Sequence, residues 1–188
     1  MTQIKSVAVF CGSKSGKNPA YESNAALLGE LLAQHNIRLI YGGGNKGIMA
    51  AVANGVLGKG GEVVGIIPQL LTEWEHQHDG ITELIVVEDM HIRKRMLYEK
   101  CDAAIILPGG YGTLDELFEI LTWNQLSIHH KQVYLLNTGN FYDHLIKHLE
   151  QMQEDSFLYH RVADTVTVAQ DPNEIIHHLL PTSSAVGE

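Results

Sequence analysis

Short, continuously apolar runs alternate along the chain with longer stretches whose apolar residues recur at helical spacing. Val7 to Cys11 reads as a first strand, and Asn18-Pro19 as an N-cap followed by proline at the first position of a helix reaching about His35. Arg38 to Tyr41 is a second strand, with a helix from about Gly47 to Gly58. Val63 to Ile67, closed by Pro68, is a third; Leu84 to Val87 is a fourth, followed by a helix from Met90 to about Lys100. Ala103 to Leu107 is a fifth, with a helix from Thr113 to about Leu126, and Val133 to Leu136 a sixth, with a helix from Tyr142 to about Glu154. A short strand at Val166-Thr167-Val168 and a helix from Pro172 to Leu180 complete the pattern. The small, polar tail from Pro181 to Glu188 is expected to fray.

Continuously apolar strands that alternate with helices belong to a parallel sheet covered on both faces. Right-handed crossovers then make an open, doubly wound α/β fold, with residues 1–180 as a single domain. Such sheets bind ligands at the carboxyl ends of their strands, where the strand order reverses.

Composition narrows the field of partners. A length of 188 residues and 45% hydrophobic content suit one globular domain. No apolar run approaches the roughly 20 residues that span a bilayer, so no membrane association is expected. The apolar stretch after the N-terminal lysine is short and lacks a small-residue cleavage site, and it reads as a strand rather than a signal peptide. Cys11 and Cys101 have neither disulfide-framework nor zinc spacing, and the reducing cytoplasm is the expected compartment. A net charge of −9 argues against nucleic acid as a partner. An acidic protein that takes an anionic ligand must hold it locally, with backbone N–H groups and a few cations.

Three strand ends supply them: Gly12-Ser13-Lys14-Ser15-Gly16, Gly42-Gly43-Gly44-Asn45-Lys46-Gly47 and Pro108-Gly109-Gly110-Tyr111-Gly112-Thr113. All three fall on one edge of a parallel sheet, each before a helix whose N-terminus favours an anion. Any one of them can be only a tight turn; three together point to a ligand. Gly42-x-Gly44-x-x-Gly47 matches the dinucleotide fingerprint, but it follows the second strand, and Ile66-Ile67-Pro68-Gln69 stand where its acidic residue belongs. Gly12 to Lys17 resembles a P-loop that is one residue short and is followed by Asn18 instead of Ser or Thr.

Met90, Arg93, Lys94 and Leu97 share a core-facing stripe. Two cations on a buried face need anions. Either they pair with Glu88, Asp89 or Glu99 or snorkel out to water, or they line the ligand crevice and meet a phosphate or a catalytic carboxylate. Thr113-Leu114-Asp115-Glu116 has the spacing of a capping box, yet the same position puts the Glu116 carboxylate beside the anion site.

Pro108-Gly109-Gly110-Tyr111-Gly112-Thr113-Leu114-Asp115-Glu116, preceded by Met90-His91-Ile92-Arg93-Lys94, resembles the LONELY GUY family of cytokinin riboside 5′-monophosphate phosphoribohydrolases, once mislabelled lysine decarboxylases. Cys11-Gly12-Ser13, Tyr41-Gly42-Gly43-Gly44, Gly65-Ile66-Ile67-Pro68 and Leu121-Thr122-Trp123 extend the likeness over roughly residues 5–155. The resemblance implies a Rossmann-like homodimer that hydrolyses the N-glycosidic bond of an adenine-type nucleoside 5′-monophosphate without metal or cofactor. By motif position, Arg93 and Glu116 match the catalytic pair, and Gly110, Gly112 and Thr113, with Tyr111 among them, the phosphate loop. Lys94 and Thr122 match substrate contacts, Glu75 stands near a ligand-contacting glutamate of the family, and Gly43 and Gly44 complete the expected binding set. Asn45-Lys46 and the stretch from Trp74 to His78 depart from the family pattern. In that role Glu116 stabilises positive charge on the sugar or activates water. Arg93 either positions Glu116 and keeps it ionised or contacts the phosphate.

A molybdenum-cofactor carrier or nucleotide-sensing protein is the alternative reading. A pyridoxal-phosphate decarboxylase needs a Schiff-base lysine, and neither Lys46 nor Lys94 has a distinctive context for one. Of the eleven histidines, His129-His130 and His177-His178 are adjacent pairs rather than i, i+4 pairs, which suits a surface better than a metal. Leu121, Trp123 and Leu126 are expected to serve the core or a dimer contact.

Overall fold

A computed structural model describes residues 3–72 and 76–180. Glu75, Trp74 and the tail from Pro181 lie outside the described residues. The elements follow in the order β1 (Ser6–Phe10), α1 (Ala20–Gln34), β2 (Arg38–Tyr41), α2 (Gly47–Gly58), β3 (Val63–Pro68), β4 (Glu83–Val87), α3 (Met90–Glu99), β5 (Ala103–Ile106), α4 (Tyr111–Gln125), β6 (Val133–Leu136), α5 (Asp143–Glu154), α6 (Val162–Thr165), β7 (Val166–Ala169) and α7 (Pro172–Leu179).

The strands form one seven-stranded sheet in the order β4-β3-β2-β1-β5-β6-β7, parallel at each junction. Alternation along β1 assigns Val7 and Val9 to a core shared with α1, α2 and α7, and Ala8 and Phe10 to a second core under α3 and α4. This is the expected Rossmann-like α/β sheet with helices on both faces. The chain winds outward from β1 to β4, then crosses back to place β5 beside β1. The switch point is therefore the β1/β5 junction, and a crevice opens at its carboxyl edge.

Local boundaries carry two corrections. Asn18 Oδ1 accepts the Ala20 N–H at 3.0 Å, but Pro19, not Asn18, stands at the N-cap and Ala20 is the first helical residue. Helix α4 begins at Tyr111, two residues ahead of the expected start, with extended Gly110 as N-cap and no side-chain cap bond. The Thr113–Glu116 capping box therefore does not form, because Thr113 is already inside the first turn.

Helices α1 and α2 cross on glycine. A Cβ on Gly29 would stand against the Val52 carbonyl oxygen and 2.8 Å from Val56 N, and one on Gly55 against the Ala26 carbonyl. Alanine at position 29 gains about 1 kcal/mol of helix propensity. Overpacking against backbone costs about 3 kcal/mol and wins. Gly29→Ala should lower unfolding stability by about 2 kcal/mol in urea titration; an equal or higher midpoint would mean the helices separate freely.

Candidate active site

The crevice at the β1/β5 switch point is a cleft of about 550 Å³, lined among others by Ser13, Lys14, Met90, Arg93, Thr113 and Glu116. Its floor is a close approach of two loops. Gly12 N–H donates to Pro108 O at 3.0 Å, and a Cβ on Gly12 would lie 3.3 Å from Gly109 Cα. Gly109 in turn leaves room for the Thr113 side chain, which a Cβ there would strike. The loop after β5 is braced from behind by Tyr142, whose hydroxyl donates to Leu107 O at 2.6 Å. Burial holds the Tyr142 phenol well above its ordinary pKa, so it stays a donor.

Gly110 and Gly112 differ from these packing glycines. A Cβ on either would meet nothing within 4 Å, although both line the cleft. Both are exposed where α4 begins, and their Cβ positions are open space. Tyr111 is almost fully exposed at the rim. Gly110, Tyr111, Gly112 and Thr113 thus line the cleft together at the start of α4, where the helix dipole favours an anion.

Arg93 and Glu116 are both buried and both line this cleft. The Arg93 guanidinium is set by carbonyls at the ends of two strands: Nε donates to Ile66 O at 3.1 Å, and Nη2 to Gly42 O at 3.2 Å. Gly42 is glycine because a Cβ would occupy the place of Nη2. Lys94 turns to a different face. Its Nζ lies 3.0 Å from both Asp115 Oδ2 and Glu119 Oε2, across on α4 rather than with Glu88, Asp89 or Glu99. Burial depresses the Lys94 pKa, but the Glu119 and Asp115 carboxylates outweigh it and the net shift is upward. Asp89 instead caps α3, its Oδ1 accepting the Ile92 N–H at 2.8 Å.

The remaining predicted contacts lie elsewhere. Gly43 and Gly44 are buried under residues 76–78 and are absent from the cleft lining: His78 N–H donates to Gly43 O at 2.9 Å, Asn45 N–H to His76 O at 2.8 Å, and Gly44 bridges Gln77. Gly47, at φ 53°, lets this loop abut the backbone of Lys14, so the third glycine of the fingerprint spacing serves loop packing. Thr122 is exposed, its Oγ1 donating to Phe118 O, and it lines a separate groove on the far half of α4. Sequence reasoning missed Tyr21 and Phe141, rim aromatics with ring centroids 5.6 Å apart, and Ile48 and Met49 of α2. Phe141 follows the end of β6, and a search of every strand end would have found it. Among the described residues no cluster of potential metal ligands occurs.

His78 pins the segment over the second glycine loop. Its Nδ1 accepts the Gly80 N–H at 3.2 Å, which leaves Nε2 protonated and facing Asn54 Oδ1 at 3.0 Å. Burial lowers its pKa below 6.5, against the opposing pull of Asp79. The stability it contributes is full above pH 6.5 and is lost as the pH falls through the depressed folded-state value. The difference in melting temperature between wild type and His78→Asn should shrink as the pH is taken from well above 6.5 down through the depressed folded-state value. A constant difference would assign the acid sensitivity to another group.

An open parallel sheet with glycine-rich loops on both strands of its switch point and a cleft between them has the architecture of the nucleotide-binding α/β class. Sequence comparison places the chain more narrowly. The family model described as possible lysine decarboxylase matches residues 49–179. A cytokinin riboside 5′-monophosphate phosphoribohydrolase of Arabidopsis thaliana is 40% identical over 178 residues, 95% of this chain and 82% of the relative. Its counterpart in Rhodococcoides fascians is 43% identical over 168 residues, 89% of this chain and 85% of the relative. The chain belongs to the LONELY GUY family. Among solved structures, the molybdenum cofactor binding protein of Rippkaea orientalis superposes with a TM-score of 0.71 at 26% identity, covering 95% of this chain and 96% of that one.

Proposed function

We propose that this protein hydrolyses the N-glycosidic bond of a purine nucleoside 5′-monophosphate, of adenine or cytokinin type, to free base and ribose 5-phosphate. The observation that carries the reading is the shared cleft of Arg93 and Glu116 beside the empty volume over Gly110 and Gly112. The phosphate takes the α4 N-terminus, where backbone N–H groups supply what an acidic protein lacks in side-chain charge. Anchored there, the ribose presents C1′ to Glu116. As the bond breaks, its electron pair leaves with the base and positive charge builds on the ribose. The Glu116 carboxylate stabilises that charge and takes the proton of the water that adds to C1′, and a proton passes to the departing base, so that Glu116 ends the cycle ionised. The fixed Arg93 charge offsets the carboxylate and the phosphate in one small cleft, and phosphate binding energy holds the reacting bond in place.

The assembly is a cytoplasmic homodimer. Exposed Phe157 lines the groove that holds Thr122, together with Leu121, Met152 and Leu158, and Leu126, Ile128 and Tyr159 are exposed apolar residues close by in sequence, surface suited to a second copy. That pairing accounts for a family substrate contact lying outside its own chain's cleft. The buried thiol of Cys101, its pKa pushed up to about 11 by burial, suits a reducing compartment.

Chromatography of products from AMP and from isopentenyladenosine monophosphate tests the reaction, with free base expected from both and the faster substrate defining the preference. A second reading, carriage of molybdenum cofactor, is favoured by the fold neighbours. It requires retained ligand and no turnover. Decarboxylation by a lysine Schiff base is disfavoured at Lys94, which two carboxylates keep protonated.

A further inference from the structure

Helices α3 and α4 are joined beside the cleft by a compact polar cluster that the chemistry above leaves unused. Lys94 and Tyr98 stand four residues apart on α3; Asp115 and Glu119 stand four residues apart on α4. Each helix thereby presents a pair on one face. The Glu119 carboxylate joins the two, meeting Lys94 Nζ at 3.0 Å and accepting from the Tyr98 hydroxyl at 2.8 Å, both through Oε2. The same hydroxyl lies 3.3 Å from the backbone carbonyl of Glu116. Tyr98 is fully buried, edge-on to Phe10 and Trp123 with ring centroids 5.8 and 5.1 Å away, so its position is fixed by packing. Its phenol is held far above its usual range by burial and by Glu119, and it remains a donor.

Three members of this cluster adjoin a group of the cleft, and Glu119 ties them together. Lys94 follows Arg93 in sequence, Tyr98 touches the backbone of Glu116, and Asp115 lines the cleft itself. Without Lys94 between them, the Asp115 and Glu119 carboxylates would repel at i, i+4. With it, Asp115 is engaged in an ion pair across to α3.

We infer that Glu119 is a positioning residue: through Lys94 and Tyr98 it fixes α3 against α4, and so fixes Arg93 relative to Glu116. This rests on the hydrolase reading above. Lys94 then acts through the cluster rather than on the substrate.

The test measures kcat and KM for AMP, together with ribose 5-phosphate affinity and melting temperature, in Glu119→Gln, Lys94→Met and the double variant. Glutamine keeps an acceptor for Tyr98 but removes the charge that holds Lys94. A small misplacement of reacting groups lowers rate far more than binding, so kcat should fall roughly 10- to 100-fold in each single variant. KM and ribose 5-phosphate affinity should stay within about threefold, because the phosphate seat belongs to the α4 N-terminus. The double variant should be no slower than the slower single one, as expected of residues acting together. Glu119→Gln with wild-type kcat overturns the inference alone, as does a Lys94→Met variant that loses ribose 5-phosphate affinity while Glu119→Gln does not. A wild type that releases no base overturns the hydrolase reading and this inference with it.

Discussion

Glu116→Gln should lower kcat for base release from AMP by about 10²- to 10⁴-fold, the span that a positioned acid–base group contributes. Glutamine has nearly the shape of glutamate, and position 116 lies inside α4 at 8% exposure, so the helix and its packing should survive. What disappears is a charge that can face an oxocarbenium-like sugar and a site that can take a proton from water. KM for AMP should change little, because the proposed phosphate position is at the N–H groups of the preceding turn. Steady-state kinetics with ribose 5-phosphate binding as a control would read both quantities. A loss of only a few-fold would move the chemistry to Asp115, the other acidic residue lining the cleft.

Gly42→Ala should reduce kcat/KM by about 10²-fold or more while leaving the protein folded. The backbone at position 42 does not need glycine for its conformation; the space does. A Cβ there falls on Arg93 Nη2, the far end of a flexible side chain that can swing away. Moving it gives up the bonds to Gly42 O and Ile66 O, at a cost of about 1 kcal/mol each. Stability should therefore fall modestly, in contrast to Gly29→Ala, where the obstacle is backbone. Arg93→Ala should be about as slow as Gly42→Ala, and combining the two should add little. An active Gly42→Ala enzyme would show that the reaction tolerates a displaced guanidinium.

Much of this architecture could be read from the chain because its signals are local. Continuous apolar runs such as Val63 to Ile67 declare buried parallel strands, and glycine clusters after them declare the binding edge. The start of α4 was misplaced because Gly110 caps with backbone alone and offers no side-chain signal, while Thr113 imitates one. Helix α6 is four residues long, too short for periodicity to register. For Lys94, helical spacing identified the face it occupies but not the helix opposite, and its true partners Asp115 and Glu119 belong to an element that only tertiary packing brings near. Gly43 and Gly44 were expected at the ligand because their loop lies on the right edge. The structure fills that position with residues 76–78, whose sequence carries no strand pattern.

The strand order has a temporal meaning as well. Lys5 and Ser6 are tied to Asp102, 97 and 96 residues downstream, and β1 gains its central partner only when β5 arrives. A ribosome that has released β1 to β4 has made half a sheet with no crevice. Its first strand still waits with one edge bare. Closure of so distant a pair is slow relative to local helix formation, and it is the same event that creates the cleft. Ligand capture in this fold therefore reports completed assembly of the chain, and nascent fragments ending before β5 should be blind to nucleotide and dependent on chaperones to shield that open edge.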